Sequence, residues 1–303
     1  MCLYPAVIEN PKYKYGGKTK NGEKPIDDRL RMIRIPCGQC YECRRAKASE
    51  WRIRLREELA LEFLDQDRKI LPAKFVTLTF SEEALESLNH VPSDPNKTAA
   101  RAIELWRKRL AKQKIKTKHW LITELGHDNT KRLHLHGIIW TDMNLKQMEE
   151  IWSYGWVHYG EYVNEKTINY IVKYITKKDD DNPTFFGKIF TSKGIGKNYI
   201  KLSTIRRHLK KVNGKYQDHY TLPNGKKTAL PKYFRQKIYT DEEREEIRLQ
   251  KENQGDIFTN GFKFNRKNIQ DIRKFNEAVE FYRKIHPEKK LKNKKDLLYL
   301  KRE

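Results

Sequence analysis

His134 and His136 stand one residue apart in RLHLHGIIW, Arg132 to Trp140. In an extended strand, side chains two positions apart share a face, so both imidazoles point the same way while Leu135 faces the other side. Two neutral imidazoles on one rigid strand can hold a divalent ion, and they need an oxygen ligand to complete the set. Two polar side chains on a solvent face would show the same spacing, so the pair alone decides little. Glu124 ends the preceding run HWLITEL, His119 to Leu125, on the face of Trp120 and Ile122. An antiparallel hairpin brings it beside the histidines. It ranks ahead of His127 and Asp128 in the connecting loop, and of His158 further on. A carboxylate carried by a strand is better held than a loop side chain.

A second chemical group lies in INYIVKYITKK, Ile168 to Lys178. Ile168, Ile171, Val172 and Ile175 form an apolar stripe at helical spacing, predicting a helix over Lys166 to Lys178. Tyr170 and Tyr174, four apart, share a helix face off that stripe, on the side of Lys173 and Lys177. A core reading of the tyrosines is therefore disfavoured. A phenol with a pKa near ~10 is a poor nucleophile until a cation helps form the phenolate. Lys173 and Lys177, with a metal polarising a phosphate, would supply that help.

Third come the cysteines. PCGQCYEC spaces Cys37, Cys40 and Cys43 two residues apart, and Cys2 is the remaining thiol of the four. The spacing suits tetrahedral zinc, closed by Cys2 and pinning the amino-terminal segment. A redox centre or an iron–sulfur cluster would use the same spacing, and unliganded buried thiols are the plainest alternative. Structural zinc ranks first.

The elements that must position these groups follow from periodicity. FVTLTF, Phe75 to Phe80, is a β-branched and aromatic strand. HWLITEL and the histidine motif make two more, joined by GHDNTKR as a hairpin, and GWVHYGEYV holds a fourth. Helices are predicted over Glu42 to about Asp67 (Trp51, Leu55, Leu59 and Phe63 recur every four residues), Lys97 to Lys112, and Leu145 to Ser153. Antiparallel strands interleaved with helices indicate an α+β fold, a central antiparallel sheet flanked by helices. Residues 1 to about 36 read as irregular. DEEREEIRLQKEN and NIQDIRKFNEAVEFYRKIH read as charged helices before a lysine-rich end, KKLKNKKDLLYLKRE. The organisation expected is a 1–43 segment with the cysteine site, a 44–235 catalytic domain and a basic helical 236–303 region.

Composition narrows the partners. Lys and Arg number 64 against 40 Asp and Glu, a formal charge of +24 over 303 residues, which makes a polyanion the first partner to consider. No apolar run approaches bilayer length, and the start lacks a charged segment followed by an apolar one. No membrane partner and a cytoplasmic setting are expected. SKGIGKNYI fails the phosphate-loop spacing, so Gly194 and Gly196 are expected to turn a loop, near DNA or simply in the fold. KNYIKL and KYFRQKIY interleave aromatic and basic residues, as a single-strand channel or as half-buried core.

These residues together resemble the HUH endonucleases. HLHGIIW is similar to their metal-binding motif, FVTLTF to their first motif, and Tyr170-Ile-Val-Lys173-Tyr174-Ile-Thr-Lys177 to the two-tyrosine motif of rolling-circle replication initiators. MCLYP, PCGQCYECR and SKGIGKNYI resemble the initiators of microviruses, small single-stranded DNA bacteriophages, and the likeness covers about residues 1 to 235. It implies an RRM/ferredoxin-like core and a Mg²⁺ or Mn²⁺ ion on His134, His136 and Glu124. It also implies a nick in single-stranded origin DNA by Tyr170 or Tyr174, leaving a 5′-phosphotyrosine and a free 3′-hydroxyl for a host polymerase. The second tyrosine would then rejoin strands. With no ATPase signature, a separate host helicase is expected, in the cytoplasm of a bacterial host. Plasmid initiators, relaxases and HUH transposases share this chemistry; a non-catalytic zinc-containing DNA-binding regulator is the alternative of another class.

Overall fold

The computed structural model describes residues 1–62, 71–126, 132–160, 162–177, 179, 181–182 and 185–286. Two compact units divide the chain: Ala48–Lys201, and Met1–Lys47 together with Leu202–Glu303.

The first unit is built on a five-stranded sheet. Its strands are β1 (Ala73–Thr79), β2 (Lys118–Leu125), β3 (Leu133–Trp140), β4 (Val157–Gly160) and β5 (Ile189–Thr191), in the order β4-β1-β3-β2-β5. Every neighbouring pair is antiparallel, so the expected α+β architecture is present. The interior strands are apolar on both faces because both faces are covered. On one side Val76, Leu78, Leu121, Leu135 and Ile139 pack against the helices Pro95–Lys112 and Leu145–Trp152, including Ile103, Trp106, Leu110, Met148 and Trp152. On the other, Trp120, Ile122, Ile138 and Trp140 meet Trp51, Leu55 and Leu59 of the helix Tyr41–Glu62. They also meet Ile168, Ile171 and Val172 of the helix Glu165–Lys173. Each such large apolar side chain stabilises the fold by ~1.5–3 kcal/mol when fully buried.

Gly137, in the histidine motif, sets how closely β2 and β3 approach. A Cβ there would lie 2.0 Å from the Trp120 carbonyl oxygen and 2.8 Å from the Leu121 Cα. Only glycine lets the two backbones pair at this point.

Local signals fix the helix starts. Pro95 occupies the first turn of its helix, Asn144 forms a capping box with Gln147, and Asn164 caps the Lys166 and Thr167 amides. The helix carrying the tyrosines is shorter than its periodicity predicts. It ends at Lys173, and bonds from Tyr174, Ile175 and Thr176 reach back only three residues. This tight final turn is a common way to satisfy orphan carbonyls at a helix end. The predicted end at Lys178 falls outside the described residues, as do Phe63 and the end near Asp67 of the earlier helix.

Gly194 and Gly196 both adopt positive φ and make a loop. The Gly196 amide donates to the buried Glu58 at 2.6 Å. The aromatics of the two interleaved segments are mostly core: Tyr199, Phe234 and Tyr239 are buried.

In the second unit, residues 1 to 36 are not wholly irregular, because Ala6–Glu9 pairs with Met32–Ile35. The two charged helices form as Asp241–Gln254 and Ile269–Ile285. Between them runs an unforeseen hairpin, Asp256–Thr259 with Phe262–Asn265, turning at Asn260 and Gly261, both at positive φ. An Asn-Gly pair is the preferred two-residue hairpin turn. The lysine-rich end lies outside the described residues.

Candidate active site and metal centre

Strand register does most of the positioning. Glu124 of β2 sits directly opposite His134 of β3, while on β1 Thr79 faces His134 and Thr77 faces His136. One Glu124 oxygen, Oε2, lies 2.7 Å from His136 Nε2, and the other accepts the Lys177 ammonium. On the far side of the same ring, Thr77 Oγ1 is 2.9 Å from His136 Nδ1. Glu124 and Thr77 thus hold the His136 imidazole from both nitrogens.

The tyrosines reach this group from the helix end. The Tyr174 ring lies flat on His136, centroids 4.8 Å apart and planes 4° from parallel. Its hydroxyl donates to the Tyr170 hydroxyl at 2.6 Å, with the rings nearly perpendicular. Tyr170 is 47% exposed, whereas Tyr174 packs partly into the core. The two phenols therefore differ in setting, although both lie off the apolar stripe. Lys177 Nζ stands 5.5 Å from the Tyr174 ring centroid. Lys173 is exposed, and its carbonyl accepts the Lys177 amide. Of the two lysines, Lys177 is the one bonded to the carboxylate.

Charge follows from these contacts. Burial pushes the Glu124 carboxyl up, but hydrogen bonds from His136 and Lys177 outweigh it and hold the group below its ordinary value. Burial, with the nearby His136 charge, lowers the His134 imidazole. Burial raises the Tyr174 phenol, and its bond to Tyr170 and the Glu124 charge raise it further. At neutral pH Tyr174 is a phenol, so attack through it requires help in losing the proton.

His134 stacks 6.1 Å from His136. The donor atoms of His134, His136 and Glu124 do not all lie within 4.8 Å of one another, as those of the cysteines do. Two imidazoles and a carboxylate nonetheless make a donor set suited to a divalent ion. His158 faces Thr77 from β4, so β1 separates it from the histidine pair; its ring meets Phe75 and Trp156 instead. His127 and Asp128 lie outside the described residues. Thr77 joins the group although motif spacing does not single it out. Its signal is positional, an alternate residue of FVTLTF on the face that a pairing strand would present to the histidines.

The second unit holds the thiols. Cys2, Cys37, Cys40 and Cys43 are free, and their sulfurs all lie within 4.8 Å of one another. Cys37 and Cys43 are 3.9 Å apart, Cys40 and Cys2 3.8 Å. A tetrahedron with zinc–sulfur bonds of ~2.3 Å has edges of ~3.8 Å, so the cluster can hold a metal such as zinc. The amides of Cys37, Cys40 and Leu3 donate to the sulfurs of Cys2, Cys37 and Cys40 at 3.2 to 3.4 Å. Such N–H groups orient and stabilise thiolate ligands. The Cys37 thiol pulls the Cys2 thiol down to about 7, and Cys2 lowers Cys40, while Cys37 and Cys43 are driven up by the crowding. Four thiolates need a cation to coexist.

Among the described residues no helix is long and apolar enough to cross a membrane. No curated protein and no solved structure matches the chain. Residues 73–179, from β1 through the tyrosines and Lys177, match the family model of the replication-associated protein ORF2, which supports a rolling-circle replication initiator and a role in DNA replication.

Proposed function

We propose that this chain is a rolling-circle replication initiator of the HUH type that nicks and rejoins single-stranded DNA at an origin. The observation that carries the reading is the Tyr170–Tyr174–His136–Glu124 chain of contacts, in which paired phenols touch a histidine tied to a carboxylate. His134, His136 and Glu124 would hold Mg²⁺ or Mn²⁺, which when bound supplies positive charge to polarise the scissile phosphodiester. Either Tyr170 or Tyr174 attacks phosphorus. The phenolic oxygen–phosphorus bond forms, the bond to the 3′ oxygen breaks, and that oxygen takes up a proton as the phenol gives one up. The products are a 5′-phosphotyrosine and a 3′-hydroxyl, which a host polymerase can extend. Attack by the second tyrosine on the regenerated origin allows a circle to be closed. Lys177 places a cation beside both the carboxylate and the Tyr174 ring, where a developing phenolate gains most; Lys173 would add longer-range charge. Such an enzyme fits the cytoplasm of a bacterial host and a separate helicase, and the microvirus-like segments favour a phage initiator.

Incubating the protein with origin-bearing single strands and Mn²⁺ or Mg²⁺ tests this. A covalent adduct resistant to denaturing electrophoresis is expected, lost in the Tyr170→Phe/Tyr174→Phe double variant and in His136→Ala. DNA binding without an adduct under either metal would favour the zinc-containing regulator, for which the cysteine cluster is the supporting observation.

A further inference from the structure

Trp156 is 61% exposed, while the other five tryptophans, Trp51, Trp106, Trp120, Trp140 and Trp152, are buried. A lone exposed aromatic is ordinary, but two features set this one apart. Its backbone is held: the Trp156 carbonyl accepts both the amide and the hydroxyl of Thr79 at 3.0 Å. The preceding Gly155 lies so close to β1 that a Cβ would come within 2.7 Å of the Thr79 carbonyl oxygen. The ring also begins an unbroken run of ring contacts that ends at the tyrosine pair. Trp156 meets His158 at 5.8 Å, His158 meets Phe75 at 6.1 Å, and Phe75 meets Tyr170 at 6.1 Å.

Trp156 and His158 are two residues apart, so they share the sheet face that carries Thr77, His136 and Glu124. Neighbouring strands lie about 4.8 Å apart. His158 is therefore two strand spacings, ~10 Å, from the His136 position, within reach of a nucleotide flanking a phosphate bound there. Bases stack on exposed rings regardless of sequence because each has a π-face. A chain of net charge +24 draws the phosphates that such bases accompany.

We infer that Trp156 is a stacking platform for a base of the single-stranded DNA beside the scissile phosphate. The inference rests on the proposed DNA substrate, but its test does not require nicking. Because Trp156 is the exposed tryptophan, acrylamide quenching of tryptophan emission reports chiefly on it. Adding oligo(dT), without Mg²⁺ or Mn²⁺, is expected to shield that emission. Trp156→Ala is expected to weaken fluorescein-labelled oligo(dT) binding roughly ten-fold, within the range for one stacked base, with Trp156→Phe restoring most of it. Unchanged quenching together with wild-type affinity of Trp156→Ala would overturn the platform. So would shielding that grows with protein concentration in the absence of DNA, which would assign the face to contact between copies. If oligo(dT) shields Trp156 but no covalent adduct forms with either metal, the platform stands and the nicking chemistry falls. An adduct without shielding would overturn the platform and leave the nicking chemistry standing.

Discussion

The sheet site and the cysteine cluster gather their ligands in opposite ways. Glu124, His134 and His136 come from two adjacent strands whose register is set by hydrogen bonds and by apolar packing on both faces. The cysteines come from Cys2, a turn and the start of a helix, around a small apolar group of Leu3, Cys37 and Cys40. Yet the thiols have converged to tetrahedral spacing, whereas the sheet ligands have not closed on one point. The sheet site is instead filled by its own partners, Lys177 on one Glu124 oxygen and His136 on the other. A region that holds itself together can leave its ligands open for chemistry. A region with little core must commit all four ligands to the ion.

The sharpest way to break this contrast is a chelator strong enough to strip zinc. It should unfold the Met1–Lys47 segment while leaving amide protection in β1, β2 and β3 unchanged, as read by hydrogen exchange. Apparent zinc-binding energies of ~10–16 kcal/mol in small zinc domains set the scale. Cys40→Ser should do the same, releasing its zinc to a colorimetric indicator; full retention of metal would refute the four-thiol site.

The sheet should answer to protons rather than to chelators. Burial first, and then the Arg107 charge, lowers His119 of β2 from 6.5 to about 4. Below pH 6.5 the unfolded chain takes up a proton that the folded chain refuses until about pH 4. Stability is therefore whole above that window and lost as pH falls through it, by up to ~3 kcal/mol. Urea melts between about pH 7 and pH 4 should show the loss, and His119→Gln should flatten it.

The smallest effect sharpens the comparison at the site itself. Thr77→Val removes the hydroxyl on His136 Nδ1 and should weaken Mn²⁺ binding about 10–100-fold, the usual range for an outer-sphere partner. Titration calorimetry would measure it. Thr77→Ser should restore the affinity, and the melting temperature should barely move.

These differences also explain what is legible in the sequence. The sheet is legible because strand alternation is local: HLHGIIW and HWLITEL fix their own faces, and a hairpin puts Glu124 opposite His134. Periodicity makes the tyrosine helix too long because the apolar stripe continues through Ile175 even where the bonding tightens. β5 spans three residues, too few for a periodic signal. The Asp256–Asn265 hairpin does carry one, FTNGF, but it is flanked by two strongly charged helices that dominate the pattern. The convergence of Cys2 on the other thiols depends on packing between distant segments, which no spacing encodes.

Gly137 follows the second histidine, and its lack of a side chain gives it a consequence for recognition. The histidines state what the site could bind, but the glycine governs whether Glu124 can stand beside them. Any other residue would push β2 from β3 at Trp120 and draw the carboxylate out of reach. A search keyed to the two histidines alone would accept chains whose hairpin cannot close. Adding the missing Cβ to the pattern would distinguish a ligand pair from an assembled centre.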